Sequence, residues 1–255
     1  MKHLPALLLA ATAAATFASG AALAAPAGAV KNVVLVHGSF ADGSGWRGLA
    51  DILQKDGYHV AVVQPPETSL NDDVAAVKRT LAMQDGPAIL VGHSYGGAII
   101  TEAGTDPKVA GLVYIAALMP DEGEVGGQLL KKMPAASNDV TPTADGYVYL
   151  PADKFHADFA ADLPVALTNF MALSQVLTNG ANFGQKISSP AWKVKPTWAI
   201  VATEDRAINP DLERYMYKRA GAQVTEIKAS HAVYISRPKE VAAVIEKAAT
   251  TVKAN

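Results

Sequence analysis

The chain of 255 residues contains no cysteine. That absence excludes a disulfide framework and a lipid-modified cysteine, so the fold must rest on its apolar core alone. A basic run is also missing: 22 Lys and Arg stand against 24 Asp and Glu, and nothing in their distribution suits nucleic acid or an anionic membrane surface as partner. There is no H-E-x-x-H, cysteine cluster or phosphate loop, so neither a metal nor an organic cofactor is implied. After residue 30 no linker, low-complexity tract or internal repeat interrupts the chain.

What is present begins with Met1-Lys2-His3 and an uncharged Ala/Leu stretch from Leu4 to Ala24, closing on Ala22-Leu23-Ala24 before Ala25-Pro26. This is the pattern of a secretory signal peptide over residues 1–24. An uncleaved membrane anchor is the competing reading; the small-residue cleavage site and the weak hydrophobicity of alanine disfavour it. The expectation is a periplasmic or secreted protein with no membrane contact after cleavage. Loss of Lys2 leaves 21 basic against 24 acidic residues, a net charge of −3. A homodimer is compatible with this composition.

Residues 25–255 suit one α/β domain. Val30 to Val36 reads as a strand covered on both faces, Trp46 to Lys55 as a helix, Tyr58 to Val63 as a strand and Asn71 to Leu81 as a helix. Strand patterns recur at Pro87 to Val91, Val109 to Ala116, Thr197 to Ala202 and Val224 to Ile227, and Pro238 to about Val252 reads as a closing helix. Strands separated by helices predict a mostly parallel, doubly wound sheet with helices on both faces. Between about residues 118 and 195 the alternation stops. Six prolines, many aromatics and short helical pieces such as Val165 to Leu177 predict a small inserted helical cap over the carboxyl edge of the sheet. Tyr147, Tyr149, Phe155, Phe159, Phe170, Met171 and Phe183 are candidates to line an apolar pocket there, though most such residues build a cap's own core.

The chemistry concentrates at Gly92-His93-Ser94-Tyr95-Gly96, directly after a strand pattern and directly before a helical one. A serine is a weak nucleophile unless its Oγ is held clear beside a base, and a sharp strand-to-helix turn does that. Such a turn crowds the residues two before and two after the serine, where this chain has glycine. Of the six histidines, His3 leaves with the signal peptide, His59 lies in a strand, His93 adjoins the turn, His156 lies in the cap and His37 shapes a loop after the first strand. His231 remains, in a loop between a strand and the last helix, able to reach over the carboxyl edge as general base. An imidazole in that role needs a carboxylate on its far nitrogen. Asp205, after the strand ending at Ala202, is the choice; Glu204 beside it and Asp121, Glu122 and Glu124 after another strand stay open as alternatives. Donors for a developing oxyanion are expected from the backbone N–H of Tyr95 and of Ser39.

The run from Val33 to Trp46 (VVLVHGSFADGSGW), then Gly57-Tyr58-His59-Val60, Gly92 to Gly97 and Ser230-His231-Ala232 resemble the α/β-hydrolase superfamily. Within it they most resemble the branch of plant methylesterases, hydroxynitrile lyases and bacterial exported esterases. The resemblance covers nearly all of the mature chain and is weakest in the cap. It implies a triad of Ser94, Asp205 and His231, oxyanion donors at Ser39 and Tyr95, and a small-molecule ester as substrate. Cyanohydrin-cleaving members carry threonine where Gly38 stands and lysine where Ala232 stands. The chain departs from both, which favours carboxylester hydrolysis over lyase chemistry. A hydroxynitrile lyase or a cofactor-free perhydrolase on the same scaffold, and a non-catalytic ligand-binding member, are the alternative readings.

Overall fold

The computed structural model describes residues 25–26 and 28–252, so the expected signal peptide lies outside the described residues. In chain order the first strands are β1 (Asn32–Val36), β2 (His59–Val63), β3 (Ala88–Ser94) and β4 (Val109–Ala117). Three short ones follow, β5 (Thr141–Pro142), β6 (Tyr147–Tyr149) and β7 (Thr178–Asn179), and then β8 (Thr197–Ala202) and β9 (Gln223–Ile227). The main sheet runs β2-β1-β3-β4-β8-β9, and every pairing in it is parallel.

Successive residues of a strand face opposite sides, and here both sides are apolar. Val34, Val36, Leu90, Leu112 and Tyr114 pack on one face with the helices α2 (Leu70–Ala82), α3 (Gly96–Ala103) and α7 (Pro210–Arg219). Val33, Leu35, Ile89, Val91 and Val113 pack on the other with α1 (Arg47–Lys55), the short α8 (Val233–Ser236) and α9 (Pro238–Thr251). Continuous burial along β1 and β3 follows from that double cover. Strand order therefore turns outward from β1 and β3, and the ends of these central strands open a crevice at the carboxyl edge.

The segment between β4 and β8 carries α4 (Gly126–Lys132), α5 (Ala152–Phe159) and α6 (Val165–Ser174). It also contains an antiparallel sheet of β5, β6 and β7, which the sequence reading of a purely helical cap did not include. Two or three residues per strand are too few to show an alternating pattern. The helix expected to run to Leu177 stops at Ser174. Gln175 there turns extended, and its side-chain amide bonds both the N–H and the carbonyl of Leu150. Phe155 and Phe159 are fully buried in the cap's own cluster with Leu150, Ala160 and Ala172, whereas Phe170 is exposed.

Candidate active site

Ser94 closes β3, and Tyr95 caps α3 immediately after it. Its φ is +56°, a left-handed value that a side chain rarely adopts and that persists only where the surroundings enforce it. The enforcement is close packing. A Cβ on Gly96 would lie 2.7 Å from the carbonyl oxygens of both Val36 and His37, so α3 starts directly against the end of β1. A Cβ on Gly38 would lie 2.6 Å from the carbonyl oxygen of His93 and 2.7 Å from the nitrogen of Tyr95. The loop after β1 and the turn at Ser94 thus interlock backbone to backbone.

His231 lies in the loop after β9, and its Nδ1 stands 2.5 Å from Asp205 Oδ2, with both side chains buried. Since the carboxylate accepts, Nδ1 carries the proton and Nε2 is left with a lone pair. The other oxygen, Asp205 Oδ1, accepts from the backbone N–H groups of Ala207 (2.7 Å) and Ile208 (2.8 Å). The alternative acids are committed elsewhere. Glu204 faces Lys228 at the surface, Asp121 and Glu122 face Lys193, and Glu124 pairs with Arg219 at 2.7 Å. Glu213 on α7 went unnoticed in the sequence. It is fully buried, its Oε2 accepts from the Ala202 N–H at 3.3 Å, and burial followed by the charge of Asp205 pushes its carboxyl well above the ordinary range. It stands behind Asp205 in the interior.

His93 is buried, its ring 4.6 Å from that of His231, and its Nε2–H donates to the His231 carbonyl oxygen at 2.9 Å. Burial, then the nearby His231, holds its pKa well below the ordinary value, so it serves as a neutral prop. His59 lies exposed near Asp85, and His156 meets Thr168 inside the cap. His37 is sealed in the interior beside Glu67.

Ser94 and His231 line one cavity of about 720 Å³ together with Ser39 and Tyr95. Its walls are mainly apolar: Leu118, Leu130, Val148, Leu150, Phe159 and Phe183. Of the pocket candidates named from the sequence, Phe159 and Phe183 line it, while Tyr147, Tyr149, Phe155, Phe170 and Met171 do not. Among the described residues, no turn, loop or side-chain hydrogen bond engages the backbone N–H of Ser39 or Tyr95, and none engages Ser94 Oγ.

A family model described as the alpha/beta hydrolase family matches residues 33–244. The chain is an α/β-hydrolase. The hydrolase is 28% identical over 238 residues to a carbendazim hydrolyzing esterase of Nocardioides sp. (strain SG-4G), covering 83% of this chain and 96% of that relative. It is 27% identical over 250 residues to methylesterase 7 of Arabidopsis thaliana, covering 84% and 95%. Among solved structures, an extracellular α/β-hydrolase from a Paenibacillus species superposes with a TM-score of 0.72 at 19% identity, covering 86% of this chain and 98% of that one. That last likeness is one of fold.

Proposed function

We propose that this hydrolase cleaves carboxylic esters of small to medium apolar substrates through an acyl-enzyme on Ser94. The observation that carries the reading is a serine held at a left-handed φ in one apolar cavity with His231, whose Nδ1 is paired with the buried Asp205. A cavity of about 720 Å³ suits a small or medium molecule. The esterase and methylesterase names of the relatives support the reaction class.

With Asp205 fixing its tautomer, His231 takes the proton from Ser94 Oγ as that oxygen attacks the ester carbonyl carbon. The carbonyl oxygen becomes an oxyanion, received by the N–H groups of Ser39 and Tyr95. As the intermediate collapses, His231 gives the proton to the leaving alcohol and Ser94 is left acylated. Water, deprotonated by the same imidazole, then releases the carboxylic acid. The same proposal includes export with cleavage before Ala25, which N-terminal sequencing of the secreted or periplasmic protein tests.

The deciding experiment is labelling with an organophosphate followed by peptide mapping, alongside Ser94→Ala. One phosphoryl group at Ser94 per chain is expected, and Ser94→Ala is expected to lose about a thousandfold or more in kcat on p-nitrophenyl esters. Labelling at another serine, or a variant keeping a tenth of wild-type kcat, removes the proposal.

A further inference from the structure

Behind the two backbone donors lies a sealed polar cluster that the ester chemistry above does not use. Its members are His37, Glu67, Asp73 and Thr178, all fully buried, with Tyr95 and Asn182 nearly so. Asp73 Oδ2 accepts from the Tyr95 hydroxyl at 2.8 Å and from Asn182 Nδ2 at 3.4 Å, while its Oδ1 accepts from the Glu67 N–H at 2.7 Å. The Glu67 carbonyl accepts from Asn179 N–H at 2.9 Å and Asn182 Nδ2 at 3.2 Å. One carboxylate oxygen of Glu67 accepts from the Thr178 hydroxyl, and the other stands 3.5 Å from His37 Nδ1. Glu67 holds φ +55°, the same strained region as Ser94.

One end of this cluster, Tyr95, supplies an oxyanion donor, and the other, His37, begins the loop that carries the second donor, Ser39. Tyr95 contributes its N–H to the site and its hydroxyl to Asp73. His37 begins the loop His37-Gly38-Ser39, whose position past the last β1–β3 pairing, Val36 with Gly92, no sheet ladder secures. We propose that Asp73 and Glu67 are positioning residues for the oxyanion site, aligning its donors through the Tyr95 hydroxyl and the His37 ring while the cap residues Thr178 and Asn182 lock both carboxylates in place. The inference rests on the ester-hydrolase reading of Ser94.

The physical need is accuracy. Preorganised donors stabilise a developing charge only when they are held to within about half an ångström, and a shift of about 1 Å can cost on the order of a hundredfold in rate. Two carboxyl groups sealed from water are costly unless hydrogen-bonded or paired, which makes an arrangement devoted to anchoring a more economical account of Glu67 and Asp73 than one devoted to stability. Glu67 has one such partner: although burial works against it, the Glu67 carboxyl group 3.5 Å away holds the His37 pKa above its ordinary value.

The test measures kcat, KM and two inhibitors in the full chain and in Tyr95→Phe, Asp73→Asn, Glu67→Gln and Thr178→Val. A trifluoromethyl ketone forms an oxyanion at Ser94 that must sit between the donors; the matching methyl ketone binds the cavity without that charge. Expected is a loss of about tenfold or more in kcat and in trifluoromethyl ketone affinity for Tyr95→Phe and Glu67→Gln, with KM and methyl ketone affinity within about threefold of wild type. Thr178→Val should fall between these variants and wild type. The proposal is overturned if Tyr95→Phe and Glu67→Gln keep kcat and trifluoromethyl ketone affinity within about twofold, or if both ketones weaken equally, which marks a collapsed pocket. Should Asp73→Asn or Glu67→Gln fail to fold, Tyr95→Phe decides alone, because it deletes one hydroxyl from a ring that stays packed. A wild-type chain inert to esters and to the trifluoromethyl ketone overturns the underlying hydrolase reading instead, and this inference with it.

Discussion

His231 Nδ1 and Asp205 Oδ2 lie 2.5 Å apart with both side chains buried, and Asp205's second oxygen accepts from two backbone N–H groups. The carboxylate is held from both ends, so it has one orientation to offer the imidazole. Asp205→Asn should fold, yet lose kcat by about a thousandfold or more with little change in KM, because an amide supports the wrong tautomer and does not offset an imidazolium charge. Glu204→Gln, at the surface beside Lys228, should leave kcat within about twofold. Steady-state kinetics on one ester decide the matter; a crippled Glu204→Gln with an active Asp205→Asn reverses the assignment.

The buried Glu213 gives a second contrast. Glu213→Gln keeps the shape of the side chain and an acceptor for the Ala202 N–H, so stability and kcat should stay close to wild type. Glu213→Leu strands that N–H and should cost about 1–3 kcal/mol in urea unfolding. Equal stability of the two variants contradicts the role of the Ala202 bond.

Stability and pH are linked through Asp73. Burial, outweighing the pull of the Tyr95 hydroxyl and the Glu67 N–H, raises its carboxyl from 3.8 to about 6. A carboxyl raised on folding leaves the native state holding more protons than the unfolded chain, so its contribution to stability falls as pH rises from about 4 to about 6 and is flat above. Full ionisation corresponds to a cost of about 3 kcal/mol. His93 acts with the opposite sign, because its folded pKa is depressed and the unfolded chain takes up its proton below about 6.5. The measurable quantity is therefore a difference. Unfolding free energy of wild type minus that of Asp73→Asn should decline between pH 4 and 6, and a flat difference removes Asp73 as the source.

Leu130 lines the cavity from the cap. Leu130→Trp should leave acetate esters turned over within a few fold and reduce kcat/KM on octanoate esters by about tenfold or more, since an added ring takes volume where a long chain would lie. A uniform loss across chain lengths contradicts that placement.

The alternation of strands and helices, the turn at Ser94 and the loop positions of Asp205 and His231 were legible because each is local: apolar runs, a glycine-spaced serine, an acid or histidine just past a strand. The cap's small sheet and the early end of α6 were not, since Gln175 stops the helix by bonding Leu150, 25 positions away. Helix α7 was missed despite a legible signal, Asn209 as cap followed by Pro210. Asp73 had left a trace too: it is buried with Val77 and Leu81 on one apolar face of α2, where a carboxylate is out of place. Glu67 left none, because its partners His37, Asp73, Thr178 and Asn182 converge only in three dimensions.

Every group assigned to bond making and breaking, at positions 39, 94, 95, 205 and 231, lies outside the continuous insert between β4 and β8, while that insert supplies much of the cavity wall. The insert leaves and re-enters through adjacent strands, since β4 and β8 pair directly. Much of the cavity wall is thereby gathered in one continuous stretch of chain that a transplant from a relative could replace, with Phe40, Ala207 and Ile208 completing the wall from outside it. Thr178 and Asn182 set the condition on such a transplant: an incoming roof must bring its own two grips for the carboxylates beneath.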